Sequence, residues 1–589
     1  MKKFIYKSLL ALSLIGVMAA CDLESDPKSS AEQESVFSIY GLAEKAVMGI
    51  HQSFGETNSY RGRFLPYYGI NSDIEWMNKI ESQSEAKKQL VAYAATPTNS
   101  EMNTENNAWA KFYEGIERAN MCIVGLRTYG NVETDPNMAH LLGEALTLRA
   151  VIYLDLVKGW GDVPARFEPI TTETVYVPKA DRDVIYKQLL ADLKEAESLV
   201  AWPNESSQTT SVERVNKTFI KALRARVALY AGGYSQRADG VRLSNDSELN
   251  RTAMYTIARD ECVDIINKGS NQLGAFETNF KNLCRDIVTA GGESIWEIPF
   301  SDGRGRVLFT LGVQHLAADQ YTKQAKGGAN GPLPYFFYDY DVDDVRRDIT
   351  CVPYEWSKES QSKQQLRSID SWCFGKLRYE WMDRMVTSTN DDGINWQYMR
   401  LADVYLMAAE AINELEGPSG AAQYLKPILT RALPAAKVDT YMSKATASKA
   451  AFFNAIVDQR AFEFAGESLR KADLIRWNLL KEKLDEAKTK MTQLANRQGA
   501  YADLPEKLYY KTGTDNESLI IYGLNHGETD AEGQKLVDAE NYSSGKWVDA
   551  TKLTEKLINA LYQENPNENQ YWPIWQTFID SSNGTLTND

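Results

Sequence analysis

Apolar residues recur at three-to-four spacing in ten segments, and this helical period constrains the fold more than any other feature of the sequence. The segments form two blocks. The first holds 108–126, 142–158, 182–200, 216–230 and 251–268, and the second holds 395–416, 420–432, 448–465, 471–486 and 551–564. Successive helices joined by short loops suggest stacked helix-turn-helix repeats, but no strict 34-residue repeat is found, so the pattern by itself predicts a mostly α fold.

The stretch between the blocks, residues 270–394, has a different character. It loses the helical period and is rich in Gly, Asp and aromatic residues. Only residues 294–300 alternate as a short strand does. We therefore predict a loop-rich insertion with minor β structure.

The N-terminus resembles the leader of a bacterial lipoprotein. Lys2, Lys3 and Lys7 precede an apolar run, 9–20, that is too short to span a bilayer and ends in small residues before Cys21. Lipidation of Cys21 would anchor the chain, since each buried methylene contributes about 0.8 kcal/mol. The alternative is an ordinary secretory leader. The acidic residues after Cys21 resemble a surface-export signal of Bacteroidetes lipoproteins, which predicts an outer-membrane protein facing outward.

These features predict five regions along the chain. They are a signal peptide (1–20), a lipidated tether (21–40), a first helical block (41–269) with an irregular loop around 60–106, the insertion (270–394) and a second helical block (395–589).

Charge and cysteine content exclude several classes of protein. The formal net charge of −15 disfavours nucleic acid and anionic lipid as partners, and favours a neutral ligand or a protein. Five cysteines follow Cys21 without a CxxC pair or a Cys/His cluster, which argues against structural zinc. Cys351 and Cys373 could pair in an oxidising compartment, whereas Cys122 lies in a helical pattern and is predicted to be a buried thiol.

Motifs for catalysis or metal binding lack the required residues or spacing. The four histidines have no metal or triad spacing. Residues 339–344 begin like a calcium loop, but Asp344 replaces the required Gly and Thr350 the required Glu. We predict no cofactor, with calcium possible but not indicated, and interpret the segment as a solvated acidic loop or a scaffold Asp before Arg346 and Arg347.

Several motifs together resemble the SusD/RagB family of outer-membrane nutrient-binding lipoproteins. They are 142–164, with Arg149 and the sequence Gly-Trp-Gly-Asp at 159–162, then 398–411, 456–477 and the tail 571–574. Gln459, Ala461 and Trp575 depart from the family pattern. The resemblance implies a tetratricopeptide-like superhelix of helix pairs with a loop-rich ligand face. The family resemblance further implies that the loop around 60–106 and the insertion contribute to this ligand-binding face and that the second block packs on the same scaffold as the first. It also implies that the protein binds glycans and passes them to a SusC-like TonB-dependent transporter.

Within these motifs, charged residues recur every three or four positions. They are Arg460, Glu463, Glu467, Arg470, Asp473 and Arg476. We interpret them as an internal set of ion pairs. The alternative is that Glu463 and Glu467 are the acid and base of a glycosidase, but that chemistry needs carboxylates about 5 to 10 Å apart across a sugar cleft.

Sugar recognition needs flat aromatic faces and polar groups for the hydroxyls. Such residues concentrate in two irregular stretches. The first, from Tyr60 to Asn106, includes Arg61, Arg63 and Tyr67, and the second includes Arg306 and His315. From both we choose, as ligand-binding candidates, Trp76, Asn99, Arg304, Tyr321, Tyr335, Trp356 and Trp372. The competing interpretation of each aromatic residue is packing beneath a long loop.

The sequence therefore favours a non-enzymatic, cell-surface glycan-binding lipoprotein that delivers oligosaccharides to the transporter. Two alternatives remain open. A secreted glycoside hydrolase on a helical scaffold would release product from polysaccharide, and a helical-repeat adaptor would bind proteins without responding to sugar. The identity of the glycan depends on loop conformation, which the sequence does not provide.

Overall fold

A computed structural model describes residues 33–300, 303–388 and 392–588 of the chain. The predicted signal peptide and Cys21 lie outside these ranges. Within them, no helix combines the length and the apolar character that crossing a membrane requires.

The first block is helical as predicted. Its helices are α1 (Gln33–Phe37), α2 (Tyr40–Gly55), α3 (Glu85–Val91), α4 (Ala108–Tyr129), α5 (Pro136–Trp160), α6 (Arg182–Leu199), α7 (Lys217–Ala231) and α8 (Arg251–Lys268). The five predicted segments correspond to α4 to α8, whereas α1 to α3 were not predicted. Asn or Asp side chains at 107, 135, 181, 216 and 250 accept hydrogen bonds from first-turn N–H groups of α4 to α8, which fixes where these helices begin.

The end of α5 was also predicted from its sequence. The helix stops at Trp160, and Gly161 adopts a φ of +75°. A Cβ at Gly161 would lie 2.9 Å from Nη2 of Arg182, so both backbone conformation and space favour glycine there. The Gly-Trp-Gly-Asp motif is thus architectural.

The insertion is composed of short elements and loops. Its helices are α9 (Phe276–Cys284), α10 (Val307–Leu311), α11 (Phe336–Asp339) and α12 (Val345–Thr350). Asp344 caps α12 and its carboxylate accepts hydrogen bonds from the Arg346 side chain, so Asp344 is the scaffold residue of the supposed calcium loop.

The second block completes the helical set. Its helices are α13 (Leu401–Glu416), α14 (Pro418–Ala432), α15 (Ala435–Ala445), α16 (Lys449–Phe464), α17 (Arg470–Arg476), α18 (Leu480–Ala495), α19 (Asp530–Glu540), α20 (Glu555–Asn559) and α21 (Gln576–Asp580). Helices α4 to α8 pack in succession, α8 packs on α13, and α13 packs on α14 and α16. The two blocks therefore form one continuous superhelical scaffold, as the family resemblance implied.

The strands are short and all pair antiparallel. They are β1 (Glu75–Met77), β2 (Ser235–Arg237), β3 (Gly240–Arg242), β4 (Ser294–Ile298), β5 (Asn330–Pro332), β6 (Cys351–Val352), β7 (Tyr354–Trp356), β8 (Gln364–Leu366), β9 (Cys373–Phe374), β10 (Trp396–Arg400), β11 (Lys507–Thr512), β12 (Leu519–Tyr522) and β13 (Ser543–Lys546). The pairs are β1 with β5, β2 with β3, β4 with β10, β6 with β9 and β7 with β8, and β11 lies between β12 and β13.

Three predicted helices of the second block were wrong in part. The segment 395–416 begins with β10, because its first residues pair with β4 across the insertion. The segment 471–486 is divided between α17 and α18 at Asn478, whose φ is +59°. The segment 551–564 forms only the short helix α20, from Glu555 to Asn559.

The cysteines that follow Cys21 are all buried free thiols. Cys122 was predicted to be one. Cys351 and Cys373 lie on the paired strands β6 and β9, but Cys351 faces Phe374 and Cys373 faces Val352, so the pairing considered for them does not occur.

Candidate functional site

The two irregular stretches that were predicted to hold ligand residues meet in the structure. Strand β1 of the first stretch pairs with β5 of the second, with Trp76 opposite Gly331. The Asn78 side chain donates hydrogen bonds to the carbonyl oxygens of Gly328, at 3.0 Å, and Trp372, at 2.9 Å. Segments far apart in sequence are thus fixed side by side at one face of the scaffold.

A cleft with a volume of about 290 Å³ opens between these stretches, and we call it the loop cleft. It is lined by Gly62, Arg63, Pro66, Tyr67, Met77, Gln83, Lys87, Glu101, Arg306, Phe309, Thr310, Ala329 and Asn330.

One wall of the loop cleft begins with a π-helical turn, Tyr60–Phe64. Gly62 is needed in this turn, because a Cβ there would lie only 2.0 Å from the carbonyl oxygen of Thr57. Arg306, which directly precedes α10, and Phe309 and Thr310 of this helix also line the cleft. The turn and α10 therefore bring Arg63 and Arg306 to the same space.

Most of the charged groups that line the loop cleft are cationic. Arg63 approaches Glu101 at 3.9 Å, and the Tyr67 hydroxyl donates to Glu101 at 3.4 Å. Burial, with the charge of Glu101, raises the pKa of Tyr67 to about 12, so the phenol stays protonated and can donate at neutral pH. Lys87 and Arg306 are the other charged residues of the lining, and Glu101 is its only described carboxylate.

The loop cleft also contains an aromatic side chain that solvent can reach. Phe309 is half-buried, and the guanidinium carbon of Arg306 lies 4.5 Å from the centre of its ring. An aromatic surface beside guanidinium, amide and hydroxyl groups is the combination that a sugar ring and its hydroxyls require.

A second charged depression differs from the loop cleft in that its charged groups pair with one another. It has a volume of about 310 Å³ and is lined in part by Asp73, Tyr335, Asp339, Arg470 and Lys490. Its charged groups already pair with one another, since Arg470 binds Asp73 at 2.7 Å and Lys490 binds Asp339 at 2.9 Å. Fewer of its polar groups are free for a ligand than in the loop cleft.

The structure corrects the placement of the three tryptophans among the predicted site residues. Exposure is 0 % for Trp76 and Trp372 and 2 % for Trp356. Trp372 stacks on Trp547 with ring centres 5.1 Å apart, and Trp356 stacks on buried His315 at 5.5 Å. A ring covered on both faces has no surface for a sugar, so packing beneath the loops is the better interpretation.

Two other predicted residues are also internal. Tyr335 is buried and its hydroxyl donates to the backbone oxygen of Asp73. Asn99 is buried and its amide donates to the carbonyl oxygen of Ala86 at 2.9 Å. Their polar groups shape the loops, and neither residue lines the loop cleft.

The remaining two candidates are more accessible, and neither lines the loop cleft. Arg304 is exposed, next to Arg306 of the loop cleft. Tyr321 is half-buried, packs edge-on against Trp356 and donates to Glu517 at 2.7 Å. None of the seven predicted residues therefore lines the loop cleft.

Sequence reasoning missed much of the loop-cleft lining. Arg63, Tyr67 and Arg306 belonged to the stretches considered, but they were not chosen, and Gln83, Lys87, Glu101 and Phe309 were not singled out. The one available signal was the density of arginines at 61–63 and 304–306, in the two stretches that supply the cleft lining.

The charged residues of the second block are buried in ion pairs, but only Asp473, with Arg460 and Arg476, pairs within the predicted set, and the other partners lie elsewhere in the chain. Glu463 accepts from Arg346 at 3.0 Å and from Arg400 at 2.6 Å, and Glu467 accepts from Arg400 and from Lys376 at 2.6 Å. Burial alone would raise the pKa of Glu463, but Arg431, Arg400 and Arg346 hold it well below its usual range. Such a carboxylate does not serve as a general acid, which argues against the glycosidase pair.

Comparisons with known proteins identify the same kind of protein for both halves of the chain. A model described as the SusD family matches residues 352–588, and a model described as starch-binding associating with outer membrane matches residues 23–229. SusD-like protein P25 of Formosa agariphila is 23 % identical over 496 residues, which cover 78 % of this chain and 86 % of that protein. SusD-like protein P38 of the same organism is 24 % identical over 493 residues, covering 81 % and 92 %.

Solved structures share the fold. A SusD homolog from Bacteroides thetaiotaomicron superimposes with a TM-score of 0.69 and 18 % identity, covering 94 % of this chain and 98 % of that chain. Surface glycan-binding protein A from the same organism, in complex with laminarihexaose, gives a TM-score of 0.60 and 18 % identity, covering 92 % and 98 %. With a superhelical scaffold, a loop-built cleft and family models matching both blocks, the chain belongs to the SusD/RagB family.

Proposed function

We propose that this protein captures oligosaccharides at the cell surface and that the loop cleft is where they bind. The observation that carries the proposal is the cleft itself, in which half-buried Phe309 is surrounded by guanidinium, amide and hydroxyl groups. A sugar can stack on the aromatic ring while its hydroxyls exchange hydrogen bonds with Arg63, Tyr67 and Asn330. The laminarihexaose bound to a protein of the same fold supports this proposal.

The role we propose is binding without catalysis. Retaining and inverting glycosidases usually place two carboxylates about 5 to 10 Å apart across the bond they cleave. Glu101 is the only described carboxylate lining the loop cleft, and Glu463 and Glu467 are held in buried ion pairs. Among the described residues, the cleft therefore offers one of the two carboxylates that such a hydrolase uses.

Attachment and delivery form the second part of the proposal. The leader and Cys21 would fix the protein to the outer membrane through acyl chains, facing outward. The captured oligosaccharide would then pass to a TonB-dependent transporter beneath it. The family model described as associating with the outer membrane supports this location.

Isothermal titration with a panel of neutral and charged oligosaccharides tests the binding role. For a glycan that binds, Phe309→Ala should weaken affinity about tenfold through loss of the stacking surface. Tyr424→Ala, on scaffold helix α14, is the matched control and should leave affinity unchanged. Product release from the same glycans by pure protein would favour the hydrolase instead.

Copurification tests delivery. A tagged full-length chain extracted from its own outer membrane should retain a TonB-dependent transporter, and Cys21→Ala should release the chain from the membrane fraction. A transporter complex that forms normally, while no glycan binds with or without it, would favour the protein-only adaptor.

A further inference from the structure

We propose that the glycan taken by the loop cleft is anionic, with sulfate-ester or carboxylate groups that the cleft arginines recognise. This inference rests on the proposed function, because it names the class of substrate for the same cleft. It departs from the expectation drawn from the whole chain, whose net charge of −15 favoured a neutral ligand or a protein.

The local charge of the loop cleft is opposite to that of the molecule. Arg63, Lys87 and Arg306 line it, against the single carboxylate of Glu101. Field lines concentrate in a cleft, so a few cations there set the sign of charge that it attracts, even in an acidic protein.

Arg61, which lies behind this wall in the same turn as Arg63, is the strongest indication. Its exposure is 3 %, and its Nη2 donates to the Thr57 hydroxyl at 2.6 Å. Its Nε and Nη1 atoms are buried and find no hydrogen-bond partner within the described ranges. A buried guanidinium with unmade hydrogen bonds is costly, and its uncompensated charge adds to the positive field that the cleft presents to an anion.

The cleft cations also lie close to one another. The pKa of Arg61 is lowered, first by burial and then by the charges of Arg304 and Arg306. Burial also lowers the pKa of Arg306, and the charge of Arg63 adds to this effect. Asp392 and Glu56 offset part of the repulsion on Arg61, but neither forms an ion pair with it.

Elsewhere in the structure, buried arginines are neutralised by direct contact. Arg400 binds Glu463 at 2.6 Å and Glu467 at 2.8 Å, and Arg460 binds Asp473 at 2.7 Å. By contrast, the side chains of Arg304 and Arg306 form no ion pair or hydrogen bond with any residue the structure describes. Their guanidinium groups are available to an incoming anion.

Guanidinium groups suit this ligand chemistry. Their planar arrangement of N–H donors matches two oxygens of a carboxylate or a sulfate, and charge-assisted bonds of this kind are about twice as strong as neutral ones. An acidic or sulfated sugar could therefore stack on Phe309 while its anionic group binds Arg306 and Arg63.

The test uses the full-length protein and paired probes that differ in charge. The pairs are dextran with dextran sulfate, and methyl-esterified polygalacturonate with polygalacturonate, run in affinity electrophoresis beside neutral laminarin and starch. We expect retardation by at least one anionic member and little by its neutral partner. The sulfate and carboxylate pairs show which group is recognised.

Substitutions in the loop cleft, each with a matched control, test whether the anionic probe binds there. Arg63→Gln, Arg306→Gln and Lys87→Gln should each weaken binding of the anionic probe about tenfold and flatten its dependence on salt. Arg242→Gln and Lys88→Gln are the controls, because the Arg242 side chain is 34 % exposed against 31 % for Arg63, and Lys88 adjoins Lys87 on α3 but pairs with Glu85. Thermal unfolding checks that every variant is folded.

The outcomes separate this inference from the proposed function. Binding of neutral glycans that Phe309→Ala weakens, with no preference for the anionic member of either pair, would retain the proposed function and overturn the anionic ligand. Anionic binding weakened equally by Arg242→Gln would reflect general charge attraction and also overturn it. If no neutral or anionic glycan binds, both proposals fail.

Discussion

Arg470 donates from Nε and Nη2 to the two carboxylate oxygens of Asp73, at 2.8 and 2.7 Å. The pair is buried and joins α17 of the second block to the segment leading into β1. One wall of the loop cleft is thus tied to the scaffold by a two-point ion pair, which restricts how far the loops can move.

Breaking this pair should destabilise the protein. Asp73→Asn leaves the Arg470 guanidinium buried without its counter-charge, so we expect the free energy of unfolding to fall by about 3–5 kcal/mol in chemical denaturation. Glu532→Gln is the control, because Glu532 pairs with Lys535 on the exposed surface at 2.6 Å and should cost less than about 1 kcal/mol. Equal effects of the two substitutions would contradict the anchoring role.

The buried tryptophans give a second prediction. Trp372→Ala removes a side chain enclosed by Phe337 and Trp547, so it should lower the free energy of unfolding by about 3–5 kcal/mol. Phe309→Ala, at a half-buried position, should lower it by less than about 1.5 kcal/mol. Denaturant titration of both variants, followed by glycan titration of the folded fraction, distinguishes core from site. If Trp372→Ala weakens binding without loss of stability, the tryptophan belongs to the site after all.

The scaffold was predictable wherever its signals are local. Helix α8 has its Asn250 cap, its apolar period and its left-handed Gly269 in consecutive sequence, and its predicted bounds match the structure. The prediction for the residues of β10 was wrong for the opposite reason. Its partner, β4, lies about a hundred residues earlier in the chain, so nothing near Trp396 indicates the pairing that overrides the helical period.

The site was less predictable, because exposure is a tertiary property. Trp76 and Phe309 are both aromatic residues in irregular stretches, and no local feature tells that Trp76 is enclosed while Phe309 is half-open. Similarly, the pairing of Asp73 with Arg470 spans 397 positions. Sequence identified the regions that build the loop cleft, whereas only packing determines which side chains face it.

Glu75 predicts an unusual dependence of stability on pH. Burial raises the pKa of this carboxyl to about 8, although a hydrogen bond from the Gly466 N–H group opposes the shift. Between about pH 4.5 and 8 the folded chain then holds a proton that the unfolded chain has lost, so stability falls as pH rises through this range. Glu75→Gln removes the titrating group and keeps an oxygen that can accept from Gly466.

The free energy of unfolding of Glu75→Gln should therefore increase relative to that of the parent protein as pH rises. In thermal or denaturant unfolding, we expect parent and variant to have similar free energies of unfolding near pH 5. The difference between them should grow toward pH 8 by at most about 1.4 kcal/mol per pH unit. Glu506→Gln, which alters an exposed partner of Arg497, should show no such trend. A difference that shrinks with rising pH would mean that Glu75 is ionised in the folded protein.

Arg400 and Arg61 are both buried, but we expect them to have opposite effects on stability. Arg400→Met removes a cation shared by Glu293, Glu463 and Glu467, which leaves these buried carboxylates only Arg431, Arg346 and Lys376, so the free energy of unfolding should fall by about 3–5 kcal/mol. Arg61→Met removes a guanidinium whose one described hydrogen bond is to Thr57, so stability should change by less than about 1 kcal/mol or rise. If Arg61 is held for a ligand anion, the same substitution should weaken binding of the anionic probe about tenfold. Denaturant unfolding of both variants, with titration of the probe into Arg61→Met, measures both halves. A large loss of stability in Arg61→Met would mean that Arg61 serves the fold.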